Sequence, residues 1–580
     1  MTDRQYVVPT PTAGGVPYQT PKQAPDYVRH YQPGVEDFIE LPTQPVCELL
    51  ERSLSITPDR AATVFFGQEM SYRELADKAM RAAEGLRQLG VGKGDRVAIV
   101  LPNCPQHLIA FYAIVRLGAI VVEHNPLYTT SEFEDLFADH GAKVAICLDR
   151  VIPRLEQMRA DVRPQHIVAV NMLKAFPKAK QLALSLPIKK LRQTKAALTS
   201  GDAGTMSFEQ LLKHEPLDPT TPYPSVHDLA SIQYTSGTTG LPKGSMLTHF
   251  NLYSNAVQGK AWMHDAVEGQ ETSYAVLPFF HSFGVTVHMT FGVMMQMTQV
   301  LVPKPDVPMI LDAMKKHPAT VYCAVPIIYD RTAEGAAERG LSLTTIKYCI
   351  SGSMALPEST RIKWEQVTSG RVVEGYGLTE ASPVALGNPF AESRRPGTIG
   401  VPFPSTEMRV VDIEDGKSDV EQGKEGELLL RGPQIFQGYW NNPEATKQVL
   451  DDGWLHTGDV VVVDEDGFTK IVDRKKEIII TGGFNVSPTE VEYVLAEHDE
   501  VEEVAVFGVP REAGDERVAA AIVTKSGGEI DRETLRAFAK EKLTGYKVPR
   551  YFVFVDELPR NGMGKILRGE VRKLYADQVS

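Results

Sequence analysis

The chain has 580 residues, 43% hydrophobic and 23% charged, with a formal net charge of −13. Such a composition belongs to a soluble globular protein with material for roughly three or four domains, fewer where the units are large α/β ones. The acidic balance argues against a general nucleic-acid binder. Five cysteines with no C-x-x-C pair (Cys47, Cys104, Cys147, Cys323 and Cys349) argue against a disulfide framework or a zinc cluster and fit a reducing cytosol.

The first thirty residues are polar and proline-bearing, without the apolar run of a signal peptide, so residues 1–35 are expected to form a poorly ordered arm. From about residue 60, helix and strand signals alternate. Ser71-Tyr-Arg-Glu74 is a capping box, followed by Leu75, Ala79, Ala82 and Leu86 at helical spacing. Arg96–Leu101 predicts a buried strand, Pro105–Arg116 a helix and Ala119–Val122 the next strand. Ser131-Glu-Phe-Glu134 predicts the cap of a further helix, and Lys143–Leu148 another strand. This alternation implies parallel sheets covered on both faces. The longest apolar run, Leu108–Val122, is interrupted by Arg116 and is too short to span a bilayer. The last residues, Ala576–Ser580, lack the peroxisomal tripeptide.

Residues 173–200 stand apart. Lys174, Lys178, Lys180, Lys189, Lys190, Arg192 and Lys195 fall there, with no acid between Asp161 and Asp202. Leucines, Phe176 and Ile188 are interleaved, and Pro177 and Pro187 exclude one continuous helix. This is the pattern either of a solvated insertion or of a basic amphipathic surface for anionic lipid. Beyond residue 400 the texture changes to antiparallel strands across Val410–Leu430 and then a small α+β unit. There Ser487-Pro488-Thr489-Glu490 opens a helix, and Val504–Val509, Val518–Thr524 and Tyr551–Val555 read as strands.

The densest chemistry lies in Tyr234-Thr-Ser-Gly-Thr-Thr-Gly-Leu-Pro-Lys-Gly244, between a predicted strand (Leu229–Tyr234) and a predicted helix from His249. Glycines let backbone N–H groups face a ligand, hydroxyls add donors and Lys243 adds a point charge, a combination suited to phosphate. It is not a Walker A loop, because Lys243 follows Pro242 and Gly244 stands where Ser or Thr is needed. The loop resembles the phosphate loop of the acyl- and aryl-adenylate-forming enzymes, which include acyl-CoA synthetases, firefly luciferases and peptide-synthetase adenylation domains. Further motifs follow in that family's order: Pro278-Phe-Phe-His281, Ser351-Gly-Ser-Met354, Glu374-Gly-Tyr-Gly-Leu-Thr-Glu380, His456-Thr-Gly-Asp459, Asp473-Arg-Lys-Lys476, Gly482-Gly-Phe-Asn485 and Pro559-Arg-Asn-Gly-Met-Gly-Lys565.

The resemblance implies an α/β fold. A large N-terminal domain of doubly wound sheets plus a distorted β-barrel (36–473) would be joined by a hinge (474–477) to a small mobile α+β C-terminal domain (478–580). It implies ATP, Mg2+ and coenzyme A as ligands. Thr235, Ser236, Gly237, Thr238, Thr239, Gly240 and Lys243 would cradle phosphates. Tyr376, with Glu374, Gly375, Gly377, Gly352 and Ser353, would hold adenine. Thr379 would donate to the α-phosphate and Glu380 would hold Mg2+, a hard cation that prefers carboxylate oxygen. Asp459 and Arg474 would take the ribose, and Lys565 would bridge substrate carboxylate and α-phosphate. Lys476 would be the hinge, and Gly482 and Gly483 would line a pantetheine tunnel.

His281 would gate an acyl pocket walled by Val325, Pro326, Gly352 and Met354, with Val285, Val287 and Met289 just beyond. No acid follows the gate, where Ser282, Phe283 and Gly284 stand, which argues against an amino-acid substrate. Met289–Met297 reads foremost as core. The expected activity is an ATP-dependent fatty acid–CoA ligase. The alternatives are an aryl or short-chain acyl-CoA ligase and a fatty acyl-AMP ligase serving a carrier protein. The expected partners are a fatty acid, an anionic membrane surface met through 173–200 and a second copy of the chain, and the expected location is cytoplasmic or peripheral to a membrane.

Overall fold

The computed structural model describes residues 12–13, 16–18, 25–202, 204–235, 242–475, 477–481, 484–511, 516–528, 530–543, 545–561 and 564–579. By backbone contacts the chain divides into two compact units. One takes in Met1–Ser236, Leu241–Glu407 and Leu430–Leu455, the other Gly237–Gly240, Met408–Leu429 and His456–Ser580.

The first unit holds two large sheets. One runs in the order Lys243–Thr248, Leu229–Thr235, Ile120–Glu123, Arg96–Val100, Val144–Leu148, His166–Val170 and Met206–Ser207. Every neighbouring pair in it is parallel except the first. The other has nine strands, and its centre (Arg371–Gly377, Tyr348–Ser351, Val321–Ala324, Thr272–Ala275, Thr298–Leu301, Ala61–Phe65) is parallel throughout. The strands read as near-continuous apolar runs because helices cover both faces. Val97, Ala98, Ile99 and Val100 are all fully buried, as is Trp364 in the core of the nine-stranded sheet.

Local signals set several helix starts. Ser71 caps Tyr72–Gln88 with its reciprocal Glu74 bond, and Pro105–Arg116 opens on its proline. The helix expected to start at Ser131 instead begins at Thr130, because Thr129 and Glu132 form the capping box two residues earlier. Between the phosphate loop and the helix His249–Trp262 lies the strand Lys243–Thr248, which the sequence does not announce. The described part of the N-terminal arm also departs from expectation. Tyr18, Tyr27 and Tyr31 are buried and donate to the carbonyls of Ser405, Thr406 and Pro402 at 2.7, 2.7 and 2.6 Å. Three amphipathic phenols, each with an apolar body and a satisfied hydroxyl, hold these described residues against Pro402–Thr406.

In the second unit, Trp454–Val463 pairs antiparallel with Thr469–Arg474, placing Asp459 opposite Arg474. The C-terminal part packs helices Pro488–Ala496, Arg532–Lys542 and Arg568–Val579 against Val501–Pro510, Glu516–Thr524 and Tyr551–Phe554. Arg568 ties it together, contacting Asp473 at 3.2 Å, Glu492 at 2.5 Å and Glu477. All five cysteines are buried and free. No helix among the described residues is long and apolar enough to cross a membrane.

Burial lowers the pKa of four interior histidines of the first unit. His249 is lowered to about 4 and His124 and His288 to about 3, each by desolvation, and His140 is lowered well below its ordinary value by burial and by His124. An unfolded histidine titrates near ~6.5, so as pH falls from about 6.5 toward 4 the unfolded chain takes up protons that the fold refuses. Stability should therefore be flat above about pH 7 and fall steeply through that window. Denaturation midpoints measured from pH 4 to 8 test this, and His288→Met should make the acid limb shallower by about one proton. An equal slope in wild type and variant would count against the assignment.

Candidate functional site

Parallel strands present their carboxyl ends on one edge, where α/β proteins bind ligands. Three adjacent strands here end at Ala324, Ser351 and Gly377, and a fourth ends at Ala275. The segments that follow are Gly352–Met354, Leu378–Glu380 and Pro278–His281, which belong to three of the expected motifs, and Val325–Pro326, the expected pocket wall. Register holds them level. Ala324 lies opposite Ser351, and Ser351 opposite Glu374.

Specific contacts then close the cluster. His281 caps its own turn, its Nδ1 accepting from Phe283 N–H at 3.2 Å. Burial lowers this half-buried imidazole to about 4, so it is neutral at physiological pH. A turn of π-helix follows over Val285–Phe291, a geometry frequent at functional sites. Gly284 is required there, since a Cβ would stand 1.9 Å from Pro278 O. Phe283 lies against Gly352, where a Cβ would meet its ring at 2.9 Å. Ser282 Oγ reaches Thr379 Oγ1 at 3.4 Å. Gly377 allows Pro383 O to approach to 2.2 Å of where its Cβ would be. Tyr376 is buried, and Ser353 is exposed with φ +70. Glu374 turns inward. Burial raises its pKa, and its carboxylate accepts from Gly397 N–H at 2.8 Å and Asn388 Nδ2 at 3.1 Å, which fixes the loop behind Tyr376.

Thr235 and Lys243 face each other at the base of the phosphate loop as strand partners. Ser236, Gly237, Thr238, Thr239 and Gly240 lie outside the described residues, as do Lys476, Gly482 and Gly483. Lys243 Nζ stands 5.1 Å from the ring centroid of Tyr439, whose hydroxyl donates to Glu380 Oε1 at 2.6 Å. Of the residues expected to wall an acyl pocket, Val325 and Pro326 are buried and Met354 is half-buried, all apolar. Among the described residues no group of three or more His, Cys, Asp or Glu side chains could cage a metal. A lone carboxylate such as Glu380 fits Mg2+, which keeps waters and substrate phosphates as its other ligands.

Two sets of contributors escape sequence reasoning. One is Tyr439. The other is a row of amides on the helix His249–Trp262. Asn251 donates to Pro433 O and Ile435 O at 2.9 and 2.8 Å, and Asn255 to Val384 O at 2.7 Å. Gln258 donates to Pro404 O at 2.9 Å and to Gln434 Oε1 at 3.1 Å. Their i, i+4, i+7 spacing was a signal, but on a helix buried on several sides it does not say what is held.

The second unit carries the other expected residues. Asp459, with a side chain 4% exposed, pairs with Arg474 Nε at 2.9 Å. Lys565 sits on an exposed tip closed by its N–H bond to Asn561 Oδ1 at 3.0 Å. Enough protein surrounds its ammonium that desolvation, then Arg474, lowers its pKa below the ordinary lysine value, with Glu477 and Asp459 opposing.

Residues 50–440 match the model of the AMP-binding enzyme family, and residues 490–565 that of the AMP-binding enzyme C-terminal domain. The chain belongs to the AMP-binding enzyme family. It is 39% identical to a long-chain-fatty-acid–CoA ligase of Bacillus subtilis, over 95% of this chain and 98% of that protein. A protein of the same name from Yersinia pestis is 38% identical over 90% and 93%, and a feruloyl-CoA synthase of Amycolatopsis 33% over 90% and 98%. Among solved structures, ATP-bound MatB from Rhodopseudomonas palustris is similar at TM-score 0.79 and 30% identity, covering 92% of this chain and all of that one (100%). The chain is an AMP-forming ligase that binds ATP, with coenzyme A as co-substrate.

Proposed function

We propose that the protein is an ATP-dependent long-chain fatty acid–CoA ligase. A fatty acid carboxylate attacks the α-phosphorus of ATP and displaces pyrophosphate, giving acyl-AMP. The thiol of coenzyme A then attacks the acyl carbon and AMP departs. The observation that carries this reading is the run of relatives named for fatty acid ligation at near full length, 95% of this chain in the Bacillus case. The wall of Val325, Pro326 and Met354 suits an alkyl chain, and the residues that follow His281 in sequence, Ser282, Phe283 and Gly284, include no acid to pair a substrate amine.

The residue roles are those that the matching family motifs imply. Thr235, Lys243 and the loop between them hold the β- and γ-phosphates, Tyr376 stacks on adenine and Thr379 donates to the α-phosphate. Glu380 holds Mg2+, which supplies charge neutralisation for the phosphates when bound. Asp459 and Arg474 hold the ribose hydroxyls. Lys565 bridges the carboxylate and the α-phosphate during adenylation and leaves before thioester formation, carried by rotation of the C-terminal domain about Lys476. Gly482 and Gly483 line the pantetheine path.

Residues 173–200 are a docking face for anionic lipid. Short helices over Lys178–Ala183 and Lys189–Leu198 are seated by buried Leu173, Phe176 and Leu184. Around them Leu182, Leu186 and Ile188 stay 72%, 46% and 51% exposed, amid exposed Lys174, Lys178, Lys180, Lys189, Arg192 and Lys195. Apolar side chains in a basic field on an acidic protein match a negatively charged bilayer surface.

The first test follows pyrophosphate release and acyl product by mass across acids of increasing chain length, with and without coenzyme A. Acyl-CoA peaking at long chains is expected. Turnover confined to aryl acids, or acyl-AMP that persists despite coenzyme A, would replace the proposal with one of its rivals. Lys565→Ala should lower adenylation by about a hundredfold or more, as loss of a transition-state charge contact does, and leave thioester formation from supplied acyl-AMP nearly unchanged. Equal losses in both half-reactions would remove the bridging role. For the docking face, the combined reversal Lys189→Glu, Arg192→Glu and Lys195→Glu should weaken sedimentation with phosphatidylglycerol vesicles about a hundredfold, at about 1 kcal/mol per basic residue. Unchanged sedimentation would end that assignment.

A further inference from the structure

The stretch Phe436–Trp440 is tied to two motifs at once. On one side it follows the strand that begins at Lys243. Met246 N–H donates to Gly438 O at 2.9 Å, Gln437 N–H to Met246 O at 3.0 Å and Trp440 N–H to Gly244 O at 2.7 Å. On the other side, Phe436 N–H donates to the backbone oxygen of Glu380 at 2.9 Å. Tyr439 lies at the centre of this strap. Its N–H donates to Thr446 Oγ1 at 2.9 Å, its backbone bridges Ser245, and its ring meets Phe436 edge to face at 5.0 Å. The residue is 7% exposed. It is therefore a rigid platform, and its two chemical faces point to different charges. The ring faces the ammonium of Lys243 and the hydroxyl donates to the carboxylate of Glu380.

We propose that Tyr439 is a positioning residue that sets the magnesium carboxylate and the phosphate-loop lysine relative to each other before ATP arrives. A phenol donating to a carboxylate makes a short, strong bond that fixes the plane of the acceptor. With Oε1 held, the carboxylate meets a cation in one orientation and loses little freedom on binding it. The same ring attracts Lys243 by its quadrupole, which holds the ammonium beside the base of the loop. A tyrosine that merely filled space would serve as well without its hydroxyl. Tyr439→Phe keeps the ring, the packing and the cation contact, and removes only the bond to Glu380. This inference rests on Glu380 as the metal ligand of the proposed reaction, but not on which acid is activated.

The test uses Mn2+ in place of Mg2+ and reads binding rather than turnover. Free Mn2+ is followed by electron paramagnetic resonance while ATP binding is titrated on the full chain. Tyr439→Phe should raise the Mn2+ concentration needed for half-maximal ATP binding by about tenfold, the typical worth of a hydrogen bond to a charged group, with ATP binding in the absence of metal and thermal midpoint unchanged. On a Glu380→Gln background the same substitution should change the Mn2+ requirement by less than about twofold, because the coupling passes through the lost charge. A wild-type Mn2+ requirement in Tyr439→Phe overturns the proposal, as does a full-sized effect that persists in the Glu380→Gln background. ATP affinity lost equally with and without metal would make Tyr439 a packing residue and also overturn it. None of these readouts contains an acyl substrate, so failure of the fatty acid reading would show in the product assay and not here.

Discussion

The site in the first unit depends on a constraint of parallel sheets: strands that run the same way must all end on the same side. Once Thr272–Ala275, Val321–Ala324, Tyr348–Ser351 and Arg371–Gly377 share one sheet, the four segments that follow them emerge together. No long-range device is needed to gather His281, Val325, Gly352 and Thr379. What remains is to control distance, and small residues do that. Gly284, Gly352 and Gly377 each stand where a Cβ would collide with Pro278, Phe283 or Pro383. Close approach there is a steric requirement, and any side chain would push the segments apart.

Convergence alone would leave these loops loose, since loop backbone has no sheet ladder to satisfy it. The helix His249–Trp262 supplies the missing partners from its interior face. Asn251, Asn255 and Gln258 bind the carbonyls of 433, 435, 384 and 404. Burying amides is costly unless each finds its bond, so a satisfied row of this kind specifies one arrangement. It fixes both the segment after Glu380 and the segment before Tyr439. The residues that hold the charges and the residues that hold the loops are thus different, and the second group has no chemistry of its own to advertise.

That division explains what could be read from the chain. Helix starts with side-chain caps are local, so Ser71 with Glu74 and Ser487 with Pro488 are legible. The misplacement at Ser131 arose because Thr129 with Glu132 makes an equally good local box nearby. Motif residues with distinctive chemistry, such as Lys243, Glu380, Asp459 and Lys565, stand out by order and spacing. The strand Lys243–Thr248 does not, because its glycine and serine carry little strand propensity. It exists through pairing with Leu229–Thr235 and with the strap at Tyr439. Tyr18, Tyr27 and Tyr31 are equally silent in sequence, since an ordered arm depends on carbonyls nearly four hundred residues away, |i−j| 387 for the first. Such long-range, side chain-to-backbone interactions are invisible to any local pattern.

The second unit shows the same economy in two adjacent residues. Successive side chains of a strand point to opposite faces, so Asp473 and Arg474 serve different ends. Asp473, with a side chain 1% exposed, takes Arg568 at 3.2 Å, Ser487 Oγ at 2.7 Å and Thr489 N–H at 2.9 Å, pinning the C-terminal helices to the strand. Arg474 turns the other way and meets Asp459, its direct cross-strand partner. An exposed ion pair contributes little, but Asp459 is almost fully covered, and a covered carboxylate without a cation would be strongly destabilised. Arg474 therefore orients the Asp459 carboxylate. A carboxylate accepts several donors at once, so the pairing that stabilises the charge also aims it, and the strand that holds the C-terminal helices through Asp473 presents Arg474 to Asp459 on the neighbouring strand from its opposite face.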